Sequence, residues 1–248
     1  MKQLHTYLFF ISLLVSGTIL SQETELDQET NISARDTLPP AEKYGLRVGL
    51  DIARLIRSAV NEDYSGFEIN GDYRVYKNYY LAAEIGNESF LRDEENIEVE
   101  GSGSYIRLGV DYNVYKNWYG MQNSIYAGLR YGFSAFDQTL NSYRIFTGTD
   151  FFPNEPITDK REAKDLTASW IEFTLGIKVE IVNNLYLGAS VSLRGLVNEK
   201  DPDGFDDEFD GFENLFIPGY GRTNDFSQFG IGYTYTISYL IPFAKKKR

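Results

Sequence analysis

Residues 228–243 read QFGIGYTYTISYLIPF, and their residue pattern indicates the fold of the whole chain. Its odd-numbered residues are apolar or aromatic from Phe229 to Phe243, and its even-numbered residues from Gln228 to Ser238 are small or polar. A period of two sends alternate side chains to opposite faces of a β-strand. About 9–11 tilted strand residues cross a bilayer. The stretch therefore predicts a membrane strand with lipid on one face and a polar lumen on the other.

Seven earlier segments alternate in the same way. They lie at about 44–56, 65–76, 79–90, 104–115, 123–135, 168–182 and 185–196. Each apolar face lacks charged residues, as lipid contact requires, and eight is an even number, as single-chain outer-membrane barrels have. Residues 44–243 are therefore predicted to be all-β, forming an eight-stranded antiparallel up-and-down transmembrane β-barrel.

The connections between these segments alternate in length. Val75–Tyr79 reads VYKNY, residues 114–118 read VYKNW, and residues 181–185 read IVNNL, and Asn favours tight turns. Four other connections are long, at about 57–64, 91–103, 136–167 and 197–227. Short turns lie on the periplasmic side of such barrels and long loops outside, so both termini are predicted to be periplasmic.

Alternation alone does not say which face points outward, because a soluble lipocalin-like barrel also has eight alternating strands with its apolar face inside. Side-chain volume distinguishes the two. An eight-stranded barrel is barely wide enough for the side chains of one face, and the apolar face carries several large residues from every strand. The polar face contains many glycines, which suit a narrow interior, so the apolar face is predicted to meet lipid.

The predicted lumen carries charges of both signs. Its members are Arg47, Glu68, Asp72, Arg74, Glu84, Arg107, Asp111, Arg130, Glu172, Lys178 and Arg194. Buried charges need partners, which favours a salt-bridged plug. The alternative is a path for protons or small ions.

The long loops contain two kinds of candidate site. Exposed apolar residues often mark binding surfaces, and the predicted patch comprises Phe151, Phe152, Phe212, Phe216 and Tyr220. Carboxylates around a glycine suit calcium, and the candidate ligands are Asp201, Asp203, Asp206, Asp207 and Glu208. A solvated acidic loop is the alternative for the second set.

Further aromatic residues gather at the turn side and predict a periplasmic girdle at the membrane surface. They are Tyr44, Tyr79, Trp118, Tyr119, Tyr239 and Phe243.

The ends of the chain lie outside the predicted barrel. Residues 1–21 have the positive, apolar and small regions of a secretory signal peptide. Residues 22–43 are polar and acidic and predict a disordered periplasmic leader, and residues 244–248, AKKKR, predict a basic periplasmic tail.

Composition excludes several functions. The chain has no cysteine, its one histidine is His5 within the predicted signal, and its formal charge is −12. Disulfides and histidine-based catalysis are therefore excluded from the mature chain, and so acidic a chain is a poor binder of nucleic acid. We expect no enzymatic activity and no cofactor.

The signal peptide, the NNLYLGASVSL stretch at 183–193, the YKN turns and the terminal YTYTISYLIPF resemble outer-membrane β-barrel proteins of the Bacteroidetes type. More broadly they resemble small eight-stranded barrels of the OmpA, OmpX and OmpW kind. The resemblance implies a monomer in the outer membrane of a Gram-negative bacterium, inserted by the outer-membrane assembly machinery. It also implies contact with outer-membrane lipids and lipopolysaccharide.

Three functions fit these features. The first is a non-enzymatic barrel with a plugged lumen that supports envelope integrity or binds a surface protein or ligand through its long loops. The second is a narrow channel for a small solute or ion. The third is a lipid-modifying enzyme, for which Ser and Asp are present but a histidine base is not.

We expect the mature chain to leave the membrane fraction only with detergent and to change its gel mobility on heating, because its outer face carries no charge. Fractionation followed by electrophoresis with and without boiling measures both properties. Recovery as a periplasmic monomer without detergent would refute the membrane prediction.

Overall fold

Eight long strands hydrogen-bond to one another in a closed antiparallel barrel. The computed structural model describes residues 42–115, 122–144, 155–200, 202, 214–223 and 227–246. The barrel strands are β1 (Glu42–Asp51), β2 (Tyr64–Tyr76), β3 (Tyr79–Glu94), β4 (Ile97–Asn113), β5 (Ser124–Tyr143), β6 (Arg161–Val182), β7 (Leu185–Glu199) and β10 (Phe229–Lys246). Each strand pairs with its neighbour in this series, and β10 closes the barrel on β1. The predicted all-β fold and its eight antiparallel strands are confirmed.

Three short elements accompany the barrel. Helix α1 (Ile52–Val60) follows β1 directly. Strands β8 (Phe216–Ile217) and β9 (Gly221–Arg222) form a small hairpin between β7 and β10. Within the described ranges, no helix is long and apolar enough to cross a membrane.

The outer face of the barrel is apolar and its interior is polar. Along β6, Ile171, Phe173 and Leu175 are about half exposed, whereas Glu172 and Thr174 between them are buried. The same alternation runs along the other long strands, which reverses the arrangement of a water-soluble protein. The lipocalin-like alternative, with its apolar side chains inside, is therefore wrong for this chain.

Large interior side chains fit because glycines face them. A Cβ on Gly132 would lie 2.1 Å from the indole ring of Trp170, which is fully buried. A Cβ on Gly232 would lie 2.2 Å from the guanidinium of Arg194. These contacts are closer than any side chain permits, so the interior is filled by pairing large residues with glycine.

The first predicted strand was too long. Residues 52–56 belong to helix α1 because Asp51 caps it, with its carboxylate accepting hydrogen bonds from the backbone N–H groups of Ala53, at 2.9 Å, and Arg54. Such a cap satisfies otherwise unpaired donors at a helix start. The alternation through Asp51 is real, but the chain leaves the barrel wall at that residue.

Several other strands are longer than predicted. Strands β3 and β4 meet in a tight hairpin at residues 95–96, so most of the predicted loop 91–103 is strand. The prediction stopped early because Glu100 and Ser102 occupy the exposed face of β4, where an apolar face was sought. Strands β5 and β6 likewise extend into the predicted loop 136–167.

Three short turns are predicted at the opposite end, and the two that the structure describes are short. Strands β2 and β3 are joined by residues 77–78, and β6 and β7 by residues 183–184. Left-handed backbone angles occur at Lys77, with φ 41°, and at Asn184, with φ 68°. Residues 116–121, in the third turn, lie outside the described residues.

Replacing Gly132 with Ala is expected to lower the free energy of unfolding by about 1–3 kcal/mol, because the new methyl group would overlap Trp170. Gly71→Ala is the matched control, since the nearest atom to its new Cβ is 3.5 Å away, and its effect should stay within about 0.5 kcal/mol. Equilibrium unfolding in urea, followed by tryptophan fluorescence, measures both. Equal effects would contradict the close packing.

Candidate functional site

The interior contains a connected series of ion pairs that begins near the short turns. Asp72 lies between two cations, 2.8 Å from the guanidinium of Arg47 and 2.6 Å from Nζ of Lys178. Lys178 also lies 3.8 Å from Asp111, which accepts from Arg130 at 2.7 Å. Arg47 and Asp72 sit directly opposite each other on β1 and β2, so strand register brings the first pair together.

Arg107 is the centre of the series. Its guanidinium lies 2.6 Å from Glu68, 2.7 Å from Glu84 and 3.2 Å from Glu172, contributed by three different strands. Arg130 connects this group to the first one through Glu84, at 2.9 Å. Arg107 is 1% exposed. One buried cation therefore pairs with carboxylates from three strands of the barrel wall.

Helix α1 extends the series towards the loop end of the barrel, which is the end opposite the short turns. Arg54 Nε lies 3.2 Å from Asp51 and 3.1 Å from Glu68, and its terminal nitrogen contacts Glu88. The hydroxyl of Tyr64 donates to Glu88 at 2.5 Å. Arg54 thus fixes the helix to the interior of the barrel.

We call the connected groups the interior network. It comprises Arg47, Asp51, Arg54, Glu68, Asp72, Glu84, Glu88, Arg107, Asp111, Arg130, Glu172, Lys178 and Arg194. Six cations and seven carboxylates nearly balance, as burial of charge requires. The structure brings together all of the predicted lumen charges except Arg74. That side chain donates to the backbone oxygen of Lys77 and lies over the rings of Tyr44 and Tyr80.

Three network members, Asp51, Glu88 and Arg54, are absent from the predicted set of lumen charges. Glu88 follows Glu84 and Gly86 on the interior face of β3, so the period of two contained the signal. Arg54 lay in a segment interpreted as strand. The period of two could not identify it, because its position depends on the helix that starts at Asp51.

The space left inside the network is small. A cavity of about 30 Å³ lies among Glu68, Asp72, Glu84, Arg130 and Lys178. Such a volume has room for about one or two water molecules. The charged side chains therefore fill the middle of the barrel.

A larger cleft lies at the loop end, beside α1. Its volume is about 420 Å³, within the usual range of ligand pockets. Its walls come from α1, the ends of β2 and β3, the β8–β9 hairpin and residues 230–233 of β10. Arg54, Arg57, Arg194 and Arg222 contribute to it, with Glu88 as the carboxylate. We call this space the α1 cleft.

The predicted apolar loop patch is wrong for two of its members. Phe216 is 4% exposed and Tyr220 is 3% exposed. The ring of Phe216 packs 5.3 Å from that of Phe90, and the ring of Tyr220 packs 5.8 Å from that of Trp170. The β8–β9 hairpin turns these residues into the mouth of the barrel, where they close the interior and line the α1 cleft.

Other predicted residues lie outside the described part. These are Phe151, Phe152 and Phe212 of the loop patch, Trp118 and Tyr119 of the girdle, and Asp201, Asp203, Asp206, Asp207 and Glu208 of the calcium candidate. Of the other girdle residues, Tyr79, Tyr239 and Phe243 are exposed and Tyr44 is partly exposed. Among the described residues, no cluster of three metal-ligating side chains occurs.

Arg107→Leu is expected to destabilise the protein by about 3–5 kcal/mol, because it leaves buried carboxylates without their shared cation. Arg92→Leu is the matched control: Arg92 pairs with the exposed Glu94 at 2.8 Å, and losing an exposed pair costs less than about 1 kcal/mol. Unfolding midpoints of the two variants measure the difference. A small effect at Arg107 would show that its pairs contribute little.

Comparison with known proteins gives a family but no described activity. A family model described as a domain of unknown function, DUF6048, matches residues 5–246. Comparison with curated proteins and with solved structures found no match. The barrel type and the Bacteroidetes origin stay predictions. Because the family model covers nearly the whole sequence, the chain belongs to the DUF6048 family.

Proposed function

We propose that this protein is a non-enzymatic outer-membrane barrel with a closed interior, which acts through the end that carries its long loops. The observation that carries the proposal is the reversed distribution of polarity. Large apolar side chains are half exposed along every barrel strand, while polar and charged residues outnumber apolar ones among the buried side chains of the described residues. A hydrocarbon environment stabilises such an outer face, and water does not.

The size and chemistry of the interior support a closed barrel. Network side chains from seven of the barrel strands and from α1 meet in it, and the cavity among them is about 30 Å³. Moving a solute through this space would separate ion pairs that have little access to water, which is costly. We therefore favour the plugged barrel over the narrow channel.

The loop end offers the surfaces on which the protein would act. Helix α1, the β3–β4 hairpin and the β8–β9 hairpin all lie there. The outer side of α1 presents Leu55, Ile56 and Val60, which are 41%, 60% and 77% exposed. Outer-membrane lipids, lipopolysaccharide or a surface partner would meet these groups, in a role in envelope integrity or partner binding.

We expect the reconstituted protein to show no steady conductance in planar bilayers, because the interior network fills its barrel. A general porin in the same bilayer confirms that insertion is detectable. The double variant Arg107→Ser with Glu172→Ser removes one cation and one carboxylate from the centre of the network, and should open a water-filled path with measurable current. Steady, size-selective current through the unchanged protein would refute the closed barrel and support the channel.

A further inference from the structure

The barrel wall is incomplete at one place. Strand β1 pairs with β10 as far as Asp51 opposite Thr236, and with β2 as far as Leu50 opposite Ile69. Beyond these pairs, β10 continues to Phe229 and β2 to Tyr64, without β1 between them. Helix α1 occupies this position and contacts both strands.

The helix is attached more firmly to β2 than to β10. The hydroxyl of Ser58 lies 2.8 Å from the backbone nitrogen of Gly66 and 2.9 Å from its oxygen, so it replaces part of a missing strand neighbour. The guanidinium of Arg57 stacks 3.8 Å from the ring centre of Tyr64. The α1 cleft lies on the other side, between the helix and β10.

The cleft carries positive charge that the interior network does not neutralise. Arg57 and Arg222 lie 5.3 Å and 5.0 Å from the ring centre of Phe90. In the part of the chain that the structure describes, neither has a carboxylate within 4.0 Å, whereas Arg54 and Arg194 are both paired. Two arginines without a direct ion pair among the described residues, in a protein of formal charge −12, point to an anionic ligand.

The cleft also passes through the wall to the apolar outer face. Gly230 and Gly232 line it from the interior side of β10, and Ile231 and Tyr233 line it from the outer side, where each is 64% exposed. Gly230 has no side chain to narrow this passage, whereas Gly232 faces Arg194, whose guanidinium is part of the cleft lining. A ligand bound here would meet cations at one end and the apolar surface of the barrel at the other.

We propose that the α1 cleft binds an amphiphile with an anionic head group, a phosphate or a carboxylate. The head group lies between Arg57 and Arg222, and the alkyl chain leaves the barrel between α1 and β10 across Ile231 and Tyr233. Arginine suits both head groups because its planar fork donates paired hydrogen bonds. The proposal goes beyond the proposed function and uses it for the source of the ligand, since a membrane would supply such amphiphiles at the outer end of the gap.

The test is calorimetric titration of dodecyl phosphate into the full mature chain held in neutral maltoside micelles. Arg57→Gln and Arg222→Gln should each weaken binding about tenfold or more, because each removes charged hydrogen bonds to the head group. Arg57→Lys should restore part of the affinity. Lys164→Gln, a cation paired with Glu162 outside the cleft, should leave binding unchanged. Retained heat-modifiable gel mobility shows that each variant has folded.

Three further titrations distinguish the possible ligands. Dodecanoate should also bind, and Arg57→Gln and Arg222→Gln should weaken its binding to the same degree. That result would show that the cleft accepts carboxylate head groups as well as phosphate. Inorganic phosphate should bind far more weakly than dodecyl phosphate, and equal binding would overturn the proposal in favour of a simple phosphate site. Dodecyltrimethylammonium should show no dependence on the two arginines.

Other results would also overturn the proposal. If dodecyl phosphate does not bind, or binds all variants equally, the cleft is not an amphiphile site. That result would leave the proposed function intact provided the protein still fractionates with the outer membrane. If the protein is instead recovered in the periplasm without detergent, the proposed function fails independently of the titrations.

Discussion

Closing eight strands into a barrel sends about half of their side chains into a space barely wide enough to hold them. The rest of the structure depends on this constraint. Charged groups inside that space lose water and must neutralise one another, which is why Arg107 contacts three carboxylates from separate strands. Large side chains must lie opposite residues that have no side chain, as Trp170 does opposite Gly132. A charge-paired interior and an apolar exterior follow from the same geometry.

The departure from regular barrel geometry lies at one end. Strand β1 stops at Asp51, which caps the helix that replaces it in the wall. Arg54 belongs both to the interior network and to the lining of the α1 cleft. The helix is thus held by the same ion pairs that fill the barrel, and the lateral cleft is a consequence of substituting a helix for a strand. A straight continuation of β1 would have sealed the wall.

The mouth of the barrel is closed by a segment remote in sequence from α1. In the β8–β9 hairpin, Gly219 adopts φ 81°, which allows the tight turn, and its N–H donates to Glu88 at 2.6 Å. Tyr220 supplies a backbone oxygen to Arg194 at 2.7 Å. The hairpin therefore joins the network through its backbone while its aromatic side chains pack over the interior. Its buried aromatic residues, which looked like an exposed patch in sequence, have a structural role.

The strand count and most of the interior charges could be predicted from the sequence alone, because a period of two is a local property that each strand carries in its own residues. The outward direction of the apolar face could also be predicted, because its large side chains exceed the volume of an eight-stranded interior. The sequence did not reveal helix α1, since the alternation of residues 44–51 appeared to continue and only the bonds from Asp51 to Ala53 and Arg54 end the strand. It also gave the wrong exposure for Phe216 and Tyr220, and it did not predict the α1 cleft. Those features depend on contacts between segments far apart in the chain, such as Glu88 with Gly219 and Arg57 with Phe90, which only the closed barrel brings together.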